Sequence, residues 1–315
     1  NGTAIVGATS GTYSIAAVGE ADAALYDVVV SNPVGDSTSN AAVLTLNTPV
    51  SITTPPVGAV LNPGQSYTLS VASAGTAPMT FQWRRNGVAL AGATAPSYTI
   101  ASAVSSSAGA YDVVVGNAVG SVTSVIATVS VNAPVSILTQ PLGGGVNPGG
   151  TRTLSVTVGG TAPFAYQWRK EGVPIAGATL ASYAITDARA AQAGRYDVVA
   201  TNAAGSATSA AAVITLNVPV SITTQPVGGS LNTGASKTFS VAATGTGPLT
   251  YQWRKNGANL SGATASSYTV SSVLPVSAGS YDVVVSNVVG NLTSTAALLS
   301  VNAAPQIASQ PLGLT

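Results

Sequence analysis

The sequence contains no cysteine and no histidine among its 315 residues. Their absence removes the commonest zinc and copper ligands, together with most arrangements of a nucleophile and a general base. It also excludes a disulfide framework, and it says little about the cellular compartment. We therefore expect no metal site, no cofactor and no catalytic residue.

Charged residues are also scarce, at 6% of the chain, with ten basic and nine acidic residues and a net charge of +1. The scattered basic residues form no stripe that would neutralise a row of phosphates, so nucleic acid is not an expected partner. A glycosidase needs two carboxyl groups facing one cleft, and no second recurring carboxyl accompanies the single recurrent Asp. The composition therefore predicts that the protein is not an enzyme.

Long hydrophobic runs are missing as well. Runs such as residues 210–214 are far too short to cross a bilayer, so we expect no membrane insertion of this segment. Alanine, valine, serine, threonine and glycine dominate instead, and β-branched residues outnumber good helix formers apart from alanine. This composition predicts an all-β fold.

An internal repeat of constant length organises the chain. The three tryptophans are Trp83, Trp168 and Trp253, and their spacings are 168 − 83 = 85 and 253 − 168 = 85. Tyr-Asp pairs beginning at residues 26, 111, 196 and 281 have the same spacing. A fixed period of this length is the signature of tandem structural units.

The period divides the chain into domains. Complete units are predicted at residues 48–132, 133–217 and 218–302, here called repeats one, two and three, with a partial unit at 1–47 and the first strand of a further unit at 303–315. We interpret the chain as a window on a longer array. The alternative is that the last segment completes the first unit of another chain by strand addition.

Each unit has short runs of alternating apolar and polar residues separated by turns, which is typical of a two-layer antiparallel sandwich. In repeat one, for example, Phe81 and Trp83 flank Gln82. Asn86-Gly87 and its equivalents Glu171-Gly172 and Asn256-Gly257 predict two-residue hairpin turns. Segments 117–120, 202–205 and 287–290 begin with Asn and end with Gly, which predicts type I turns.

These motifs resemble the immunoglobulin-like domain of the intermediate type, which occurs in tandem in adhesion and bacterial surface proteins. The resemblance covers every unit and rests on the Trp of Gln82-Trp83-Arg84 and on the segment 108–113. It implies a buried tryptophan and a tyrosine corner at Tyr111. The positions of the family's paired cysteines hold valines: Val71 and Val113, Val156 and Val198, and Val241 and Val283.

The resemblance also implies an acidic residue two positions before the Gly of segment 108–113. That residue is present only as Asp22 and is Ser107, Gln192 or Ser277 elsewhere. Because Arg84 and Asp112 each lie next to an inward residue, we expect both to point outward from neighbouring strands. We predict three cross-strand ion pairs, worth roughly 0 to 1 kcal/mol each: Arg84–Asp112, Arg169–Asp197 and Arg254–Asp282.

The low charge favours contact between surfaces, since dispersed soluble proteins carry a larger charged fraction. We therefore hypothesise a structural protein: a stiff extracellular rod that associates with copies of itself into a filament, stalk or sheath on a bacterial surface. The alternative is an adhesin or polysaccharide-binding spacer module of a larger secreted protein, with a surface polysaccharide or another cell-surface protein as partner. The tryptophans and tyrosines are interpreted as core residues rather than sugar-stacking platforms.

Overall fold

A computed structural model of the chain describes residues 2–305 and 308–309. Strands of two packed layers recur three times, once in each complete unit, which confirms the predicted fold class of tandem immunoglobulin-like β-sandwiches. Contacts divide the chain into two units, Asn1–Pro134 and Val135–Thr315. The first contains repeat one, and the second contains repeats two and three.

Ten strands recur in the same order in each repeat, so that an equivalent strand differs in number by ten. Before them lie β1 (Ala24–Tyr26), β2 (Val29–Asn32), β3 (Gly35–Thr38) and β4 (Ala42–Leu44). Repeat one contains β5 (Ser51–Thr54), β6 (Ala59–Leu61), β7 (Tyr67–Ser70), β8 (Ala72–Ala74), β9 (Thr80–Arg85), β10 (Val88–Ala89), β11 (Ser97–Ile100), β12 (Gly109–Gly116), β13 (Ser121–Thr123) and β14 (Ala127–Val131).

The strands of the other two repeats follow the same plan. Repeat two contains β15 (Ser136–Thr139), β16 (Gly144–Val146), β17 (Arg152–Ser155), β18 (Thr157–Gly159), β19 (Ala165–Lys170), β20 (Val173–Pro174), β21 (Ser182–Ile185), β22 (Gly194–Asn202), β23 (Gly205–Thr208) and β24 (Ala212–Leu216). Repeat three contains β25 (Ser221–Thr224), β26 (Gly229–Asn232), β27 (Lys237–Ser240), β28 (Ala242–Thr244), β29 (Thr250–Lys255), β30 (Ala258–Asn259), β31 (Ser267–Val270), β32 (Gly279–Ser286), β33 (Asn291–Thr293) and β34 (Ala297–Asn302). Short 3-10 turns lie at Glu20–Asp22, Ser105–Ser107, Ala190–Gln192 and Pro275–Ser277.

The two layers of repeat one differ in size. The larger sheet has the order β10-β9-β12-β14-β6, with β13 also pairing with β12. All its pairings are antiparallel except that of β6 with β14, which is parallel. The smaller layer is made of the pairs β5-β8 and β7-β11, and repeats two and three have the same pairings.

A tight hairpin turn sets the register of β9 against β10. Asn86 and Gly87 have φ angles of 51° and 79°, which is the left-handed backbone that a two-residue hairpin turn requires. Glu171 and Asn256 occupy the equivalent position with φ of 49° each, and a glycine with positive φ follows both. The predicted hairpin turns are confirmed in all three repeats.

The hydrophobic core lies between the two layers. In repeat one it contains Trp83, Leu69, Val71 and Val113, which alternate with outward residues along their strands. Both valines at the family's cysteine positions are buried in each repeat: Val71 and Val113, Val156 and Val198, Val241 and Val283. Packing around these side chains stands where a covalent bridge would lie.

A glycine before β6 permits the parallel strand to approach β14. A Cβ atom on Gly58 would lie 2.1 Å from the carbonyl oxygen of Thr128, whereas real Cβ atoms stay beyond 3.0 Å. A Cβ atom on Gly143 would lie 2.4 Å from the carbonyl oxygen of Val213, and one on Gly228 would lie 2.1 Å from that of Leu298. The obstacle is backbone each time, so only glycine fits without moving a strand.

The segment before repeat one has part of the same pattern. β1 pairs with β4 and β2 pairs with β3, and Tyr26 faces Ala42 as Tyr111 faces Ala127 in repeat one. None of its described residues is buried. Most of the strand predicted at 303–315 lies outside the described residues.

Candidate functional site

The tryptophan of each repeat lies at the centre of its sandwich. Trp83, Trp168 and Trp253 are 0% exposed, as the sequence predicted. Each indole N–H donates to a carbonyl twelve residues later, for example from Trp83 to Ala95 at 2.9 Å. Because the ring is enclosed and its only polar atom is bonded, it offers no platform to a sugar.

A tyrosine of the smaller layer packs between the buried tryptophan and the corner tyrosine of the larger sheet. In repeat one, the Tyr98 ring lies 6.4 Å from the Trp83 ring and 6.0 Å from the Tyr111 ring, measured between centroids. Trp168, Tyr183 and Tyr196 repeat this arrangement in repeat two. Aromatic pairs at these separations stabilise the core beyond their buried area.

The tyrosine corner is present in every repeat. The Tyr111 hydroxyl donates to the Ser107 carbonyl at 2.8 Å, and Tyr196 and Tyr281 make the same bond to Gln192 and Ser277. Burial raises the pKa of Tyr196 and of Tyr281 above the usual tyrosine value, with a smaller contribution from a neighbouring tyrosine in both cases. These hydroxyls therefore remain protonated and structural at neutral pH.

The three predicted ion pairs are confirmed. Arg84 Nε and Nη2 donate to the two carboxylate oxygens of Asp112 at 2.7 and 2.9 Å, across the register of β9 and β12. Arg169–Asp197 and Arg254–Asp282 have the same two-bond geometry. The hydrogen bond to Asp112 raises the pKa of the Arg84 guanidinium, as it does for the other two arginines. Both partners are engaged with each other, so the recurring Asp is not available as a general base.

The hairpin residue at position 86 does more than form a turn. The Asn86 Oδ1 accepts a hydrogen bond from the Ala110 N–H at 2.9 Å, and Asn256 does the same for Ser280. In repeat two Glu171 replaces asparagine, and its Oε1 accepts from the Arg195 N–H at 2.7 Å. The sequence predicted the turn but not this acceptor, because the N–H that it binds belongs to β12 and its equivalents, which are distant in the sequence.

Exposed apolar side chains recur on the surface just before β6 and its equivalents. Val57, Leu142 and Val227 occupy the same position of the repeat, and their exposed fractions are 69%, 79% and 73%. Gly143 and Gly228, which come directly after Leu142 and Val227, pack against β24 and β34. Val213 and Leu298 are exposed on these two strands. Single exposed aliphatic residues are ordinary, but recurrence at one position in every repeat favours a contact role.

The sheet edges are the remaining recurring feature of the surface. β11 pairs only with β7, and no strand among the described residues pairs with its other side. The same holds for β21 and β31. Sequence reasoning missed this edge, because counting alternating runs does not show which strand lacks a neighbour.

Chemistry-bearing groups do not assemble in the part of the chain that the structure describes. No three Asp or Glu residues come close enough there to hold a metal ion. No helix within residues 2–305 has the length and apolar character needed to cross a membrane. The recurring features of the structure are core packing, hairpin turns and strand edges.

Comparisons with known proteins agree with this architecture. The model of the immunoglobulin I-set domain matches residues 135–215, which is repeat two with its ends trimmed. Human hemicentin-1 is 28% identical over 324 aligned positions, covering 96% of this chain and 6% of that protein. The decoration protein of Escherichia phage T5 is 47% identical over 58 residues, which is 18% of this chain and 35% of that protein. The chain therefore spans only a minor part of these relatives.

Solved structures show the same fold. The titin I-band fragment I67–I69 has a TM-score of 0.53 at 21% identity, covering 82% of this chain and 99% of the fragment. The three N-terminal domains of the highly immunogenic outer capsid protein of bacteriophage RB49 give a TM-score of 0.53 at 19% identity, with 82% and 100% coverage. Both are tandem domain structures, and at this identity the likeness concerns the fold alone.

Proposed function

We propose that this tandem immunoglobulin-like protein is a non-catalytic structural component of an extracellular assembly, in which copies of the chain associate with one another. The assembly is a filament, stalk or sheath on a bacterial surface. The observation that carries the proposal is that the recurring polar and aromatic groups bond within their own domain, while the outward positions are almost uncharged and partly apolar. Such a surface has little electrostatic repulsion to oppose contact between copies.

The side chains that could bind a ligand or act in catalysis are already bonded or enclosed within their own domain. Trp83 is enclosed, the Tyr111 hydroxyl donates to a carbonyl, and Arg84 and Asp112 bond each other. Every aromatic residue among residues 48–302 is buried or half-buried. This argues against the alternative of polysaccharide recognition, because sugar sites commonly use exposed rings.

Self-association is tested by sedimentation velocity of the purified chain over a wide concentration range, followed by electron microscopy of the concentrated sample. We expect species larger than the monomer that grow with concentration, and ordered assemblies with a regular repeat. We also expect little weakening when salt rises from low to physiological ionic strength, because few charges take part. A chain that stays monomeric at millimolar concentration would overturn the proposal.

Decoration of a virus particle is a second candidate, favoured by the 47% identity to the phage T5 decoration protein over 58 residues. It differs from the first in its partner, which would be a capsid rather than another copy. Co-sedimentation of the purified chain with phage T5 capsids lacking their decoration protein tests it. Pelleting of a chain that is monomeric alone would favour this role, and its absence from the pellet would count against it.

A further inference from the structure

We infer that copies of this chain join through the free edges of β11, β21 and β31, each of which pairs antiparallel with one of these edges in a second copy. This inference rests on the proposed self-association and names the surface that performs it. Each repeat contributes one such edge.

The free edge follows from how β11 bonds to β7. The Val71 N–H donates to the Pro96 carbonyl at 3.0 Å, and residues alternate from there, so Tyr98 and Ile100 bond toward β7. Ser97 and Thr99 then direct their N–H and C=O groups to the opposite side, where no strand of the described chain lies. The same alternation leaves Ser182 and Ala184 outward in β21 and Ser267 and Thr269 outward in β31.

The other edges of the sandwich carry features that obstruct pairing. β5 has a register irregularity between Ile52 and Thr54, and its equivalents have one at the same place. β10 and its equivalents have two residues each, and β20 includes Pro174. Beside β6, the Tyr67 hydroxyl donates to Val57 O at 2.9 Å and occupies a carbonyl there. Protein sheets use such devices against edge pairing, and β11 has none of them apart from its four-residue length.

The segments around the edge are uncharged in repeats one and three. In repeat two a groove of about 290 Å³ lies against β21, lined by residues 176–180 and 182–184. Leu180 in this groove is 70% exposed. No charged residue occurs between 90 and 107 or between 260 and 278, the segments around β11 and β31. In repeats one and three an incoming strand therefore meets no charged side chain from these segments, whereas in repeat two the Asp187–Arg189 ion pair follows β21.

A second copy matches this edge better than another partner does. Antiparallel pairing of two β11 strands about Tyr98 sets Ser97 of each copy opposite Thr99 of the other. Serine and threonine at such cross-strand positions form favourable pairs, and a Thr68–Thr99 hydroxyl bond of 2.9 Å already exists within the domain. Each edge is short, and another copy of this chain carries the same three edges, so it offers a matching partner for each.

The test uses opposite charges at the outward edge positions of the full chain. One variant carries Thr99→Lys, Ala184→Lys and Thr269→Lys, and a second carries glutamate at the same three positions. These side chains are exposed, and their neighbours on the core face are unchanged. Circular dichroism and thermal unfolding verify that both variants fold. A matched control places lysine at exposed positions 130, 215 and 300 of the other sheet.

We expect the lysine and glutamate variants to associate at least about tenfold more weakly than the wild type, since two like charges then lie diagonally across every pairing. An equimolar mixture of the two should recover association, and the control should behave as wild type. Hydrogen exchange should show protection of the Ser97 and Thr99 amides only in samples that associate. If the wild type assembles and the edge variants assemble equally well, the inference is wrong while the proposed function stands. A monomeric wild type overturns both.

Discussion

Replacing the glycine before β6 tests how the parallel strand is held in place. In the variant Gly58→Ala with Gly228→Ala, each new Cβ would lie 2.1 Å from a carbonyl oxygen of the facing strand. Because the obstacle is backbone, β6 must move away from β14, and Leu61 at its end, now 1% exposed, loses burial. Burial of a leucine is worth about 2 kcal/mol, and each lost ladder bond adds about 1 kcal/mol.

The expected cost is therefore about 2–4 kcal/mol in each altered domain, a large part of the stability of a domain this small. That corresponds to a fall in Tm of roughly 10–20 °C. Each domain has one buried tryptophan, so fluorescence reports its unfolding. Repeats one and three should melt early, whereas the unaltered repeat two should keep the wild-type Tm and make the transition biphasic.

The matched control is Gly120→Ala with Gly290→Ala in the same two domains. A Cβ at either position meets nothing within 4 Å, and neither glycine has a positive φ. This control should melt within a few degrees of the wild type, in line with other surface substitutions of about 0.5 kcal/mol or less. If the variant at positions 58 and 228 melts together with the control, the close approach of β6 to β14 does not determine stability.

Three further perturbations test groups of repeat three and its neighbour. Asp282→Asn should lower the free energy of unfolding by no more than about 1 kcal/mol, because the ion pair with Arg254 is partly exposed, and a double-mutant cycle measured by urea unfolding checks this value. Asn256→Ala should lower the free energy of unfolding by about 1–3 kcal/mol, since it removes an acceptor for a backbone N–H and puts alanine at φ 49°. Asn256→Gly also removes the acceptor but tolerates this φ angle, so the same assay separates the two contributions. Because burial raises the folded-state pKa of Tyr196 and Tyr281, the unfolded chain loses these protons first, so stability should be constant up to about pH 10 and fall above it. A Tyr281→Phe variant whose alkaline loss equals that of the wild type would contradict the assignment to this hydroxyl.

Local pattern and constant spacing were enough to predict much of the fold. Trp83 lies in an alternating run, and period-two alternation decides which residues face the core. The pairing of Arg84 with Asp112 followed because both flank inward residues of strands expected to be neighbours. The Asn86-Gly87 turn was predictable because few residue pairs accept positive φ in succession.

Other features depend on pairings between distant segments, which a single sequence does not display. Gly58 reads as an ordinary loop glycine until β14, about seventy residues later, is placed beside it. The free side of β11 is likewise a property of the whole sheet, because it is defined by a neighbour that is missing among the described residues. Glu171 was identified as a turn residue, and its role as an acceptor for the Arg195 N–H depends on side-chain reach to β22, which is distant in the sequence.

The parallel pairing of β6 with β14 determines how a domain responds to tension along the chain. β6 is near the start of repeat one, β14 is its last strand, and they run in the same direction. A pull applied at the two ends of the domain drags these strands past each other, so their hydrogen bonds bear the load together instead of opening one at a time. We therefore expect each repeat to resist stretching, with Gly58 and its equivalents permitting the contact that carries the force.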